Sequence, residues 1–507
     1  MSKNVLAGKR VLIVQQRNWA RHTGHLLARK LQQEGCRLAA LTIRKHTDRF
    51  VRAQTEVTYE HITSLDAIVE DLGSYTAGTN YSLEEIADAL GVESIWPIAA
   101  SHRSLVRSYG DKFFYSFRQH ASDETIVLFM KAMFTYVENV FRDFKPDVIV
   151  VPNFTSPVHI MLDLYARKRG VKTIAIIDCK IKGISIFTHS FANDIGPLCN
   201  RVDALNAGAE STHRERARTY IADFRREFKH PVYMEKKTAP SFVQWVRSEL
   251  APYRSVYRWY RKPAINYVPI FGIRRDYRPP HIILRDHYNF KKYKRFAESY
   301  LYYPIESIGK AIYLPLQFQP EQTIDVYAPY FNNQIEVARL VAQSLPSDYT
   351  LVVKEHPAMA GYRSPSYLEK LARTPNVKLV DYRIPTDTIL RKVDLVVSPS
   401  STTIAEAAFY NKPAIQFGIL GTTLKLPNVF KHTDMTTLSV RIKDMLAQSF
   451  DTDEYERRLE NYVAAAYDVG TELDYMSYWT TGKGADPEAL WQFYKKEIER
   501  VLSTQRV

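Results

Sequence analysis

Short runs of apolar residues recur along the chain, each stopping abruptly at polar or charged ones. Between them, apolar positions return every three or four residues. The first pattern is that of buried strands and the second that of amphipathic helices. In the first half, "RVLIVQQ" (Arg10–Gln16), "DVIVVP" (Asp147–Pro152) and "KTIAIID" (Lys172–Asp178) predict strands. "HTGHLLARKLQQEG" places Leu26, Leu27, Lys30 and Leu31 at helical spacing and closes on Gly35, and "PVHIMLDLYARKRG" closes on a glycine in the same way. Residues 60–145 predict mainly helix, and "STHRERARTYIADFRREF" (Ser211–Phe228) predicts a helix leading away from this unit.

The second half repeats the alternation more cleanly. "AIYLPLQ" (Ala311–Gln317), "YTLVVKEH" (Tyr349–His356), "NVKLVD" (Asn376–Asp381), "DLVVSPS" (Asp394–Ser400) and "PAIQFG" (Pro413–Gly418) predict strands, with helical patterns filling every gap. The fold class is therefore α/β, with two Rossmann-like, doubly wound parallel sheets. The expected division is an N-terminal Rossmann-like domain over 1–240, a basic aromatic connector over 241–309, a C-terminal Rossmann-like domain over 310–480, and a closing helix over 481–507. A chain of 507 residues is long enough to need more than one core.

Composition narrows the setting. Cys36, Cys179 and Cys199 have no CxxC spacing, which suggests free thiols in a reducing compartment rather than disulfides or a zinc site. No stretch of roughly 18 apolar residues occurs, and the N-terminal apolar run is too short for a secretory signal, so a cytoplasmic protein is expected. The formal charge of +14 points to anionic partners. Much of that excess falls between Ser241 and Tyr300, where thirteen basic residues oppose four acidic ones, a net +9.

Candidate chemistry lies at the predicted strand ends, where ligands bind in sheets of this kind. "LVVKEHPAMAG" (Leu351–Gly361) finishes a buried strand with Lys354, Glu355 and His356 and stops it with Pro357, which keeps His356 extended. Lys354 and His356 share a face of the strand and suit a phosphate or pyrophosphate, unless His356 merely caps its own loop. Glu355 points the other way and reads as structural. "SPSSTTIAEAAFYNKPAIQFG" (Ser398–Gly418) crowds Ser400, Ser401 and Thr402 at a helix start, where free N–H groups and the dipole favour an anion. Glu406 has two readings: partner of Thr403 in a capping box, or a carboxylate reaching a ribose diol. In the first half, His22 and His25 follow the first strand beside Gly24, Asn153 ends the second and Asp178 the third. Each of them is either a catalytic acid or base or a helix cap.

"YLPLQFQPEQTI", "LVVKEHP", the serine pair and "EAAFYNKPAIQFG" resemble the capsule polysaccharide biosynthesis glycosyltransferases, which include bacterial Kdo transferases. The paired HP and Ser-Ser motifs also resemble bacterial sialyltransferases that use CMP-sugars. The resemblance covers residues ~310–420 and implies a GT-B fold, two Rossmann-like domains facing across a cleft. It implies that His356 contacts the nucleotide phosphate and that Ser400 and Ser401 cradle it; Gln317 and Gln319 of the matching "LQFQPEQ" alternate with apolar neighbours, which points them at the cleft. The implied reaction moves a sugar, Kdo or another CMP-activated acid sugar, from a nucleotide donor to a glycan or lipid-linked acceptor. UDP-sugar epimerases and CDP-glycerol-type transferases share the second-domain plan, and a non-catalytic capsule-assembly scaffold is a further alternative. No DxD stands at a strand end, so no metal is expected, and no cofactor.

The connector interleaves Arg247, Arg254, Arg258, Arg261 and Lys262 with Trp245, Tyr253, Tyr257, Trp259 and Tyr260, and "RPPH" (Arg278–His281) marks a hinge toward the second domain. Cations among aromatics suit an anionic membrane surface, single-stranded nucleic acid, or a solvated linker. No nucleic-acid-binding motif accompanies them, so the expected partner is the inner face of the membrane, with no nucleic acid.

Overall fold

Two six-stranded sheets carry the chain, and both run in the order 3-2-1-4-5-6. The computed structural model describes residues 4–102, 105, 121–228, 241–261, 267–268, 273–274 and 280–504. Lys262, Arg278 and Pro279 lie outside them. The first sheet comprises β1 (Arg10–Gln15), β2 (Arg37–Thr42), β3 (His61–Ser64), β4 (Val148–Val150), β5 (Lys172–Asp178) and β6 (Ser185–Thr188). Its strands are parallel except β6, which runs antiparallel to β5. The second is wholly parallel: β7 (Ala311–Pro315), β8 (Thr350–Lys354), β9 (Val377–Val380), β10 (Leu395–Ser398), β11 (Ala414–Gln416) and β12 (Val429–Lys431).

Eight helices place the site: α1 (Thr23–Gln33), α2 (Pro197–Asn206), α3 (Arg214–Arg226), α4 (Phe242–Arg261), α5 (Pro280–Ser299), α6 (Thr402–Ala408), α7 (Asp453–Val469) and α8 (Pro487–Thr504). The expected Rossmann-like pair of sheets is present. Within the two six-stranded sheets four strands exceed the expectation, namely β2, β3, β6 and β12, all of six residues or fewer, and a separate two-stranded pair joins Tyr267–Val268 to Ile273–Arg274. The described part of 60–145 is helical apart from β3.

Apolar residues on both faces of the central strands explain the layering, because parallel strands are covered on each side by helices. In β8, Leu351 and Val353 join one core with Val337 and Leu368, while Val352 joins another with Ile389 and Ile404. That second core crosses between the two halves. It also holds Cys179, Leu198 and Val202 of the first half and Tyr455, Tyr462 and Val463 of α7. Phe224 of α3 stacks on Phe409, 4.2 Å between ring centres, so α3 does lead into the second unit.

The last helix returns to the first sheet. Leu490, Trp491, Tyr494 and Ile498 of α8 are buried with Val11 and Ile13 of β1, Val148 and Val150 of β4, and Leu27 of α1. Gly24 is fitted tightly here, since a Cβ on it would stand 2.2 Å from Gln15 Oε1 and 2.6 Å from the Trp19 ring. The glycine after β1 thus serves helix–strand packing. Trp491→Ala removes a ring that is only 2% exposed from this seam and is expected to cost about 3–5 kcal/mol. The denaturant midpoint measures this, and a midpoint equal to wild type would mean that α8 is not part of the first core.

Candidate active site

Strand alternation decides where each polar residue at the end of β8 goes. Lys354 follows Val352 onto the face shared with α6. Its buried ammonium donates to Ile384 O at 2.9 Å and Thr386 Oγ1 at 3.1 Å. Burial pulls this lysine down to about 8, against the opposing pull of Glu406 and Asp387. Glu355 takes the other face, and there it meets Arg363 at 2.6 Å with both side chains almost fully buried. It also accepts from the His356 N–H at 2.7 Å. Burial holds the Glu355 carboxyl above its usual range, with Arg363 pulling against it.

His356 has extended backbone, φ −65° and ψ 125°, as the following proline requires. Its Nδ1 accepts from Ala358 N–H at 3.2 Å, and Phe318 packs edge-on at 5.9 Å. Burial first, then the charges of Arg363 and Lys354, pulls the imidazole down to about 4. The ring is therefore neutral near pH 7, and with Nδ1 accepting, its proton sits on Nε2 as a donor. Capping its own loop and offering a donor are compatible roles for this residue. Pro357 opens the short 3-10 turn that follows.

At the end of β10, Ser401 rather than Thr403 is the N-cap of α6, accepting from Thr403 N–H at 3.1 Å. The Thr403–Glu406 capping box is not formed, because the helix begins two residues earlier than that reading requires, at Thr402, although the Thr403 side chain still hydrogen-bonds the Glu406 carboxyl. Ser400 is fully buried and its Oγ has no hydrogen-bond partner, an exception among buried hydroxyls. Glu406 is buried one turn into α6. Burial pushes its carboxyl up to about 7 against the pull of Lys354, then Lys180.

Lys180 comes from the first unit and had no counterpart among the expected site residues. It follows β5 in left-handed backbone, φ 70°, and its Nζ lies 3.0 Å from Asp178 Oδ2 while its N–H donates to Asp178 Oδ1 at 2.8 Å. Asp178, Lys180, Glu406 and Lys354 thus form a chain of alternating charge across the two units, with the Asp178 carboxylate on the exposed side. Tyr327 marks the same junction, its hydroxyl accepting from Asn193 Nδ2 at 2.8 Å and Gln322 Nε2 at 2.6 Å.

Other expected positions fall elsewhere. Gln317 and Gln319 are engaged by protein partners. Both are buried in a network in which Arg363 donates to Gln317 O at 2.7 Å and Gln334 bridges the two glutamines, because closing the turn after β7 demands partners for its backbone. His25 lies 3.3 Å from Glu56 and edge-on to Phe50, and His22 packs on Gly482. These contacts do not join the two histidines to Asp178 or Glu406. Asn153 accepts from Thr155 Oγ1 at 3.0 Å. A mainly apolar cavity of about 660 Å³ opens between the units, lined by Ile98, Leu164 and Phe191 on one side and Tyr327, Phe331 and Phe417 on the other.

Residues 277–420 match the family model for capsule polysaccharide biosynthesis proteins. The matched segment holds His356, Ser400 and Glu406, and it begins inside the segment expected to be only a connector. No curated protein matches the chain. Among solved structures, the beta Kdo 2,7 transferase KpsC of Thermosulfurimonas dismutans is 13% identical, with a TM-score of 0.35, covering 72% of this chain and 89% of that one. The glycotransferase of kitacinnamycin is 11% identical, with a TM-score of 0.25, covering 97% and 99%. UDP-GlcNAc 2-epimerase of Methanocaldococcus jannaschii is 11% identical, with a TM-score of 0.25, covering 89% and 97%. At such distances the functional reading rests on the residues themselves.

The buried Glu355–Arg363 pair yields a stability test. Arg363→Met alone strands a buried carboxylate and is expected to cost about 3–5 kcal/mol, whereas Glu355→Gln with Arg363→Met recovers much of that loss. Urea unfolding of the three proteins decides it. A single variant as stable as wild type would remove the pair from the site's framework.

Proposed function

We propose that this protein is a GT-B glycosyltransferase that moves a sugar from a nucleotide donor to a surface-polysaccharide or lipid-linked acceptor, without an obligatory metal. The observation that carries this reading is the cluster joining both units at the strand ends: Lys354 and Glu406 from the second, Lys180 and Asp178 from the first. The family match over 277–420 supports the same reading. Kdo or another CMP-activated acid sugar is the donor we favour.

In this reading the bond between the anomeric carbon and the donor phosphate breaks, and the phosphate oxygen keeps the electron pair. His356 Nε2–H, the Lys354 ammonium, the Ser400 hydroxyl and the amides at the start of α6, beside Ser401 and Thr402, meet the charge that develops there. Groups already held in place by burial cost little reorganisation when the charge appears. Asp178 takes the proton of the attacking acceptor hydroxyl, and Lys180 fixes the orientation of that carboxylate. Glu406 lies close enough to Lys354 to set its charge and is our candidate for the ribose diol.

The nucleotide series CMP, CDP, UDP and GDP, read by thermal shift, tests the donor. A gain with CMP alone is expected; a gain with UDP alone moves the protein to the epimerase class, and no gain at all favours a scaffold. His356→Ala is expected to abolish transfer in a folded protein. Ser400→Ala removes a hydroxyl without a partner, so the unliganded melting temperature holds or rises while nucleotide binding weakens about tenfold. Equal nucleotide affinity in that variant would take Ser400 out of the site.

The pH dependence has a definite sign. Between pH 7 and 9 the phosphate charge of the nucleotide is constant. Over that range Glu406, raised to about 7, gains its negative charge and Lys354, lowered to about 8, loses its positive one. His356, lowered to about 4, stays neutral throughout. Both changes disfavour an anion, so affinity is expected to fall by about tenfold or more, roughly 1.4 kcal/mol, across that range. Calorimetric titration at pH 7, 8 and 9 measures this, and a flat profile contradicts the assignment.

We further propose that α4 and α5 rest on the inner face of an anionic membrane. Phe242, Trp245, Tyr253, Tyr257 and Tyr260 are exposed on α4 among Arg247, Arg254, Arg258 and Arg261. No described helix is long and apolar enough to cross a membrane. Flotation with vesicles containing anionic lipid is expected, and is expected to be lost at high salt and in the Arg258→Gln, Arg261→Gln protein. Binding indifferent to both would exclude the electrostatic contact.

A further inference from the structure

A cavity of about 760 Å³ opens at the amino-terminal edge of the first sheet, the edge opposite the strand ends that carry Asp178 and Lys180. Its wall is basic. Arg10 begins β1, Lys172 begins β5, Lys145 and Arg169 come from the turns that precede β4 and β5, and Arg500 comes from the end of α8. Asp147 is the acidic residue of the lining, and Glu497 stands behind Arg500.

The pairing of these groups is unequal. Arg10 is held by Asp147 at 3.3 Å, and Arg500 by Glu497 at 2.7 Å, with His189 on the same Glu497 carboxylate at 2.5 Å. Arg169 lies over the Tyr165 ring at 3.4 Å, an arrangement that keeps a guanidinium flat and its edge available. Lys145 and Lys172 have no ion pair among the described residues. Lys145 is moreover held in left-handed backbone, φ 51°, at the turn entering β4. Five cations from four separate segments therefore share one concavity with one lining carboxylate, Asp147, which is already engaged by Arg10.

A solvated basic face would spread such charges over a convex surface, where they repel one another least. Gathering them around a cavity lowers the cost of bringing in several negative charges together. We infer that this cavity is a second anion site, built for a small polyanion whose charges are several ångströms apart, polyphosphate or acidic oligosaccharide in chemistry. Arg169 offers a planar fork to phosphate or carboxylate, Lys145 and Lys172 act as point charges at the rim, and Arg500, bonded to Glu497 through Nε and Nη2, adds positive charge from behind. The site is separate from the proposed donor site, since its lining includes neither β8 nor α6.

The test uses the full chain with two probes, inorganic tripolyphosphate and tetragalacturonate, titrated calorimetrically at low salt. The wild type is compared with Lys145→Ala, Lys172→Ala, two substitutions that break no ion pair. Wild type is expected to show a binding event that weakens at least tenfold in the double variant and with added salt. The nucleotide thermal shift is expected to be unchanged in that variant, which separates this site from the donor site. Tighter binding of tripolyphosphate assigns the site to phosphate chemistry, and tighter binding of tetragalacturonate to acidic glycan. Failure of both probes to bind, or binding equal in the two proteins, overturns the inference.

Discussion

The distance between the two units is set by one buried helix. Tyr462 of α7 is fully buried, and its hydroxyl sits between the carbonyl of Cys179, 2.9 Å away, and that of Thr422, 3.2 Å away. The first carbonyl belongs to the turn that leaves β5, and the second to the helical turn after β11. Around that tyrosine, α7 packs on α2 and α3, and Ala464, Ala465 and Ala466 are fully buried. Alanine is small enough to let helices approach closely and is the best helix former, so both demands are met by one residue type. Gly421 sharpens the contact: its N–H donates to Ala192 O at 2.7 Å, and a Cβ there would stand 2.3 Å from Asp194. With the turn carrying Lys180 fixed in this way, its ammonium comes within electrostatic reach of Glu406 in the other unit.

Two kinds of buried charge coexist near that junction, and they do different work. Glu355 and Arg363 are nearly inaccessible and bonded to each other, and Arg363 also ties down Gln317 O. Such a pair is an expensive way to gain stability but a specific way to fix the ends of two strands. Lys354 and Glu406 are buried too, and burial draws both toward neutrality. His356 is likewise held neutral. The framework pair is bonded to itself and to the backbone on one face of β8, whereas the groups on the other face are left able to respond to a ligand's charge.

How much of this the sequence revealed follows from what a linear pattern can encode. The strands of the second sheet were legible because unbroken apolar runs ended in turn residues. Strand β3, "HITS", and β12, "VFK", were not, because three or four residues with polar members show no period. Alternation along β8 correctly separated Glu355 from Lys354 and His356, since the side-chain period of a strand is two. It could not supply Arg363, which meets Glu355 only after the chain turns through Gly361, at φ 95°. Lys180 was missed for a similar reason, as no motif marks a left-handed lysine. Alternation gave Gln317 a face without saying how open that face is, and its side chain is buried against Pro315 O and Ser398 Oγ. The capping-box reading of Glu406 failed by two residues of helix boundary, the least certain quantity in such readings.

The basic hairpin shows where this matters for the whole molecule. Sequence alone set residues 241–309 apart as a connector, yet the family match begins at 277, and α5 is attached to the second unit. Ala297 is buried in the core that contains Leu351 and Val353. Phe290 lies against Gly361, where a Cβ would stand 2.9 Å from its ring, and packs at 4.9 Å on Tyr362. Gly361 and Tyr362 belong to the same loop that begins at His356. In turn, α4 is joined to α5 by the Tyr253–Tyr288 hydroxyl contact at 2.8 Å and by the Lys291–Glu249 ion pair. A surface that engages α4 is thereby linked, through two side-chain contacts and five residues of ordered loop, to the histidine at the end of β8. The placement of the hairpin and the position of His356 are one mechanical problem, and a glycine at 361 is what allows the two to be packed together.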